Sequence, residues 1–174
     1  VSQSDLKIDT GTATLDNSGG QLQALGRLDV QAGRIANTTG LIRSGEATTL
    51  TAATIDNTAT LAAQQGIEGR NVHLTTNDLD NRSGAIRADV DTRITSTGRI
   101  DNSAGVISAG NALGIADPKA ATPASKTLEI VNTGGTLVAG QRLEIDAARL
   151  GFDGTLSTGR DLSPRLTQAL LTHA

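Results

Sequence analysis

Cysteine, methionine, tryptophan and tyrosine are all missing from the 174 residues, and Phe152 is the single Phe, Trp or Tyr. Without a thiol or a second imidazole at ligand spacing, His73 and His173 form no metal-ligand set. Nor do they form a Ser/His nucleophile arrangement with any of the serines. Globular interiors use aromatic rings to fill the irregular gaps between packed elements. Their near absence implies an interior made of identical thin layers. Basic clustering is also missing: the 15 Lys and Arg are scattered and the formal net charge is −3, which excludes a nucleic-acid-binding surface. No run approaches the roughly 18 apolar residues needed to cross a bilayer, so the chain is not expected to be membrane-embedded, and no secretory leader is visible. It begins at Val1 and reads as a piece of a longer protein.

What is present is glycine, 20 residues of it, with many Thr, Asn and Asp, types that turn strands and do not extend helices. These residues recur with a period. Asn17, Asn37, Asn57, Asn81, Asn102 and Asn132 follow one another at intervals of 20, 20, 24, 21 and 30, in the range where repeats build solenoids. Two residues before each Asn stands Leu15, Ile35, Ile55, Leu79, Ile100 or Ile130. Five after it come Leu22, Ile42, Ile86, Ile107 and Leu137, with Leu61 the candidate for the irregular third unit. Further on come the pairs Leu28/Val30, Thr48/Leu50, Val72/Leu74, Thr92/Ile94, Leu113/Ile115 and Leu143/Ile145. Within a unit the apolar positions step by two, the strand period. One unit buries nothing alone; stacked units align like columns into a continuous aliphatic core.

The expected fold is therefore all-β, a right-handed parallel β-helix of about seven coils spanning residues 1–163, its hand being implied by the resemblance described below. Residues 164–174 are a tail that either starts a further coil or caps the end. The six asparagines are expected to hydrogen-bond along the stack as a structural ladder at ~4.8 Å per layer. Gly20, Gly40, Gly84, Gly105 and Gly135, three after the Asn, mark positions where the backbone is expected to need positive φ. Asp16, Asp56, Asp80 and Asp101 share a column that breaks at Ala36 and Val131, which favours turn capping over cation binding. Asp78, Arg99 and Glu129 occupy equivalent places in successive coils and are expected to pair across them. The insertion at residues 116–127, with Pro118, Lys119, Pro123 and Lys126, cannot continue a strand and is the candidate partner loop. Phe152 is expected to plug the core of the last coil.

The stretches TLDNSGGQLQALGRLDVQAG, RIDNSAGVISAGNALGIAD and LEIVNTGGTLVAGQRLEIDA carry a resemblance to the haemagglutinin repeats of filamentous haemagglutinin and of contact-dependent growth inhibition exoproteins. It covers roughly residues 6–163. The resemblance implies a β-helical filament segment of a secreted exoprotein at the surface of a Gram-negative bacterium, exported through an outer-membrane two-partner secretion transporter. It implies a stalk in adhesion or toxin delivery, with no catalysis and no cofactor; the host or neighbouring-cell receptor or glycan stays unassigned. A glycan- or receptor-binding module acting through projecting loops is the alternative. A polysaccharide-degrading β-helix would need an unbroken charged cluster, and a left-handed hexapeptide acyltransferase a period near six; neither is present.

Overall fold

In a computed structural model, which describes residues 1–119, 125–166 and 171–172, the chain is a parallel β-solenoid. Its strands in order are β1 (Leu6–Asp9), β2 (Thr14–Asp16), β3 (Gln21–Ala24), β4 (Leu28–Ala36), β5 (Leu41–Ser44) and β6 (Ala47–Asp56). There follow β7 (Gly66–Thr76), β8 (Asp78–Asp80), β9 (Ala85–Ser96), β10 (Arg99–Asp101), β11 (Val106–Ala109) and β12 (Ala112–Ala116). The last are β13 (Glu129–Ala139), β14 (Arg142–Ala147), β15 (Arg149–Thr158), β16 (Asp161–Leu166) and β17 (Leu171–Thr172). Every pairing between them is parallel, and longer strands such as β4 and β6 bend around a corner to serve two faces.

Three faces result. On the first, Leu6, Leu28, Thr48, Val72, Thr92, Leu113, Leu143 and Leu162 stand in register. On the second, Leu15, Ile35, Ile55, Leu79, Ile100, Ile130 and Leu150 do so. The third stacks Leu22, Ile42, Ile67, Ile86, Ile107, Leu137 and Leu156. The first face has eight layers, one more than the repeat count predicts, because β16 pairs with β14 across the expected boundary at residue 163 and so begins another coil.

The core is aliphatic throughout. Leu28, Ile35, Ile42, Leu50, Ile55, Ile67, Ile86 and Ile107 are all buried, each contributing on the order of 1.5–3 kcal/mol by leaving water. Like residues stacked on like leave no irregular gap for an aromatic to fill. The third unit corrects one assignment: Ile67, not Leu61, fills the column, and Leu61 is exposed. The extra residues, 61–65, bulge out before β7, which begins at Gly66.

Candidate functional site

The six predicted asparagines converge on one corner, between the second and third faces. Asn17 Nδ2 donates to Asn37 Oδ1 at 2.7 Å, Asn37 to Asn57 at 2.8 Å and Asn57 to Asn81 at 2.7 Å. Asn81 donates to Asn102 and Asn102 to Asn132, each at 2.6 Å. The other amide hydrogen reaches main-chain carbonyls, such as Leu41 O from Asn17 and Ala85 O from Asn57, both at 3.0 Å. Asn37, Asn57, Asn81, Asn102 and Asn132 are wholly buried. Asn17, Asn37, Asn57, Asn81 and Asn102 thus spend their amides on the stack, and the ladder has a direction, each of these Nδ2 atoms pointing toward the C-terminal end.

The turn that follows each Asn places its strain differently from the sequence expectation. The residue in the left-handed region is the second after the Asn, not the third: Gly19, Thr39, Ala59, Ser83, Ala104 and Gly134 all have φ between 49° and 64°. The glycine after it is required by close approach instead. A Cβ on Gly105 would lie 2.2 Å from Asn81 O and 2.6 Å from Asn102 Oδ1. Where the third unit has Thr60, the chain leaves for the 61–65 bulge. The Thr60 hydroxyl takes over the corner, donating to Asn57 O and accepting from Ala85 N, both at 3.0 Å.

The Asp column caps these turns. Asp16, Asp56, Asp80 and Asp101 each accept the backbone N–H two residues on, from Ser18, Thr58, Arg82 and Ser103. Hydrogen bonds from the Ser18 hydroxyl and backbone hold the Asp16 carboxyl below its ordinary value. For Asp101 burial pushes upward, but the Ser103 and Arg99 hydrogen bonds outweigh it and the pKa is lowered.

The expected pairing of Arg99 with its neighbouring coils does not form, although the register is as expected: Arg99 lies opposite Glu129, and Ile100 opposite Leu79. The Arg99 guanidinium instead pairs with Asp101 on its own strand at 2.9 Å. The Asp78 carboxylate accepts the Arg99 backbone N–H at 2.8 Å. A residue two along a strand shares its face and lies close enough to compete with the coil above.

Of the candidate partner loop, Pro118 and Lys119 are exposed, and Pro123 lies outside the described residues. Lys126 is not a surface group: its side chain is 6% exposed and forms an ion pair with Asp146, with a second contact to Arg165 O at 3.1 Å. The base of the insertion is closed by Asp117, which the sequence reading passed over. This buried carboxylate accepts N–H groups from Lys119 at 2.8 Å, Thr127 at 2.5 Å and Leu128 at 2.9 Å. Burial works to raise its pKa, yet those backbone donors and the Thr127 hydroxyl outweigh burial and lower it. Only the fold could reveal this, since two of the three backbone donors stand ten and eleven residues away.

Beside this base runs a groove of about 480 Å³ on the outside of the first face, lined by His73, Arg93, Gly114, Arg142, Glu144 and Asp146 among others. Gly114 creates it by standing without a side chain between Arg93 and Glu144 in the outward column. Within it Arg142 pairs with Glu144 at 2.6 Å, and His73 points outward, as its place between Val72 and Leu74 predicts. Phe152 is half-buried against the core and stands opposite Asn132, in the ladder position of the seventh coil.

Among the described residues no helix is long and apolar enough to cross a membrane. No curated protein and no solved structure matches the chain. The family model of the haemagglutinin repeat, by contrast, matches residues 3–117 and 103–151, the region that holds every rung of the ladder. The chain therefore belongs to the haemagglutinin-repeat family.

Proposed function

We propose that this chain is a non-catalytic stalk segment of a large exoprotein, secreted through an outer-membrane two-partner transporter and displayed on a Gram-negative cell. There it holds an adhesive or toxin-bearing region away from the surface. The observation that carries this reading is the axial continuity of the stack: eight in-register layers on the first face, with six successive coils tied by an amide ladder. No buried side-chain polar atom lacks a partner among the described residues. Such a column resists bending because every layer is hydrogen-bonded to the next, and eight layers at ~4.8 Å give a rod of roughly 35–40 Å. The test is to remove or duplicate whole coils in the parent protein. A stalk keeps cell adherence or toxin transfer when the register is preserved, with only reach altered; abolition by an in-register duplication refutes it.

A second reading, a receptor- or glycan-binding module, is favoured by one feature, the groove at Gly114 beside the inserted segment. Arg93→Ala combined with Glu144→Ala removes the two charged groups that flank Gly114 while leaving inward side chains untouched. Loss of adherence in that variant supports the module; unchanged adherence supports the stalk.

A further inference from the structure

The outward positions of β12 are the small residues Ala112, Gly114 and Ala116, each half-buried, while Leu113 and Ile115 between them face the core. The strands on either side carry longer side chains in the same register. On β9 these are Asp91, Arg93 and Thr95, and on β14 Arg142, Glu144 and Asp146. The groove of about 480 Å³ is therefore a trough that runs along β12, across the solenoid axis, with His73 and Arg165 beyond its two walls. Those walls are two layers apart, about 10 Å at the strand spacing of a sheet. The floor is deepest at Gly114, where a Cβ would meet nothing within 4 Å.

The acids along this trough are committed. Asp91 Oδ1 accepts the Asn111 side-chain amide at 2.8 Å and the Ala112 N–H at 3.0 Å. Glu144 is paired with Arg142 at 2.6 Å, and Asp146 with Lys126. Arg93, in the middle of one wall, is exposed, and among the described residues its guanidinium has neither an ion-pair nor a hydrogen-bond partner. Two features of the stack leave it so. Arg82 and Arg99 each pair with an aspartate two residues away, at 2.6 and 2.9 Å, but Asp91, in that place relative to Arg93, is taken by Asn111 and Ala112. Arg43 and Arg87 share Glu68, which stands between them in register. Arg93 has His73 and Gly114 as its neighbours in the column, and neither is a carboxylate.

We infer that the trough binds an extended acidic peptide, laid along β12 with a Glu or Asp side chain over Gly114 and its carboxylate on the Arg93 guanidinium. The inference rests on the receptor-binding reading of this groove and gives that reading a ligand chemistry. A planar guanidinium takes a carboxylate through two parallel N–H donors. The gaps above Ala112, Gly114 and Ala116 repeat every two residues, roughly 6.6 Å, which is also the spacing of side chains on one side of an extended peptide. The main chain of β12 is already paired with β9 and β14, so the peptide is held by side chains and not as an added strand. A glycan fits less well. The trough has no aromatic ring for a sugar face, since Phe152, the single Phe, Trp or Tyr, stands opposite Asn132 at the ladder corner.

Titration of the purified chain with two end-blocked peptides, Thr-Thr-Glu-Thr-Thr and Thr-Thr-Gln-Thr-Thr, followed by nitrogen-15 NMR, tests this. The Glu peptide is expected to move the Gly114 backbone and Arg93 side-chain N–H signals. The Gln peptide is expected to bind about tenfold more weakly, having lost the charge-assisted pair. Arg93→Gln is expected to bring the Glu peptide down to the affinity of the Gln peptide, whereas Arg70→Gln, which removes an exposed guanidinium outside the trough, changes nothing. Gly114→Leu fills the trough and is expected to abolish binding, its urea midpoint reporting that the fold is intact. Equal affinity for the two peptides, or signals that move elsewhere and not at Gly114 and Arg93, would overturn the inference. Tighter binding of a trigalacturonate probe than of the Glu peptide would overturn the peptide in favour of an acidic glycan. Lost adherence in the Arg93→Ala/Glu144→Ala variant, alongside a Gly114 signal that the Glu peptide leaves unmoved, would keep the receptor-binding reading and overturn this ligand; unchanged adherence would overturn that reading itself.

Discussion

Replacing Asn81 by alanine interrupts the ladder at its middle, where no water can substitute. Its side chain donates to Asn102 Oδ1 at 2.6 Å, to Gly84 O at 3.3 Å and to Val106 O at 3.4 Å, and accepts from Asn57 Nδ2 at 2.7 Å. Alanine leaves Asn102 Oδ1 without its amide donor and removes one of the acceptors of Asn57, which keeps Ala85 O. A buried polar group stranded in this way costs about 1–3 kcal/mol, and an ordinary hydrogen bond contributes about 0.5–1.5 kcal/mol net. One stranded acceptor plus one weakened donor therefore comes to about 2–4 kcal/mol. The internal control is Asn17→Ala, which likewise leaves a buried acceptor, Asn37 Oδ1, without its donor but weakens no rung before it, and should cost about 1–3 kcal/mol. Urea denaturation of both variants, with hydrogen exchange of the coils on either side as a check on cooperativity, measures the difference. An unchanged midpoint for Asn81→Ala would refute the ladder as a source of stability.

Glycine 105 to alanine should destabilise by about 2–4 kcal/mol, because its Cβ would meet a fixed carbonyl at 2.2 Å, a case of overpacking without a flexible neighbour to yield. Gly114→Ala, which meets nothing within 4 Å, should leave the urea midpoint unchanged. Ala104→Gly should stabilise by up to about 1 kcal/mol, since the left-handed region costs an L-residue about 1–2 kcal/mol and glycine returns part of that as unfolded-chain entropy; thermal denaturation reads it. Asp117 has a folded pKa below its ordinary value of 3.8. Its contribution is thus complete above that value and is lost as pH falls through the lower folded one. Amide protection at Thr127 and Leu128 should weaken over that acidic window, and in Asp117→Ala it should be weak at every pH. Asp78→Ala should cost more than Arg99→Ala, since the carboxylate caps a backbone N–H whereas the exposed guanidinium contributes at most about 1 kcal/mol; paired denaturation curves decide it.

The repeat, the strand period and the corner position of the six asparagines were legible in the sequence. In a solenoid each residue's partner is its own equivalent one unit away, so a linear period reports three-dimensional contact directly. The same logic located His73 on the outside and the register of Arg99 against Glu129. It failed where a contact does not repeat. Ile67 could replace Leu61 in the core because a bulge of residues 61–65 shifts the register, and spacing alone does not say where extra residues leave the stack. The glycine column looked like a demand for positive φ, but that conformation falls one residue earlier. The glycines answer to a neighbouring carbonyl that only the stacked backbone brings within reach. Asp117 and Lys126, at opposite ends of one insertion, and Asp146, on the next coil, became one anchored base through folding alone. Arg99 chose Asp101 over its cross-coil neighbours because side-chain reach, which periodicity does not encode, decides among charges at similar separation. Sequence by itself thus determined the layers and their order. Tertiary structure decided which polar groups meet between them.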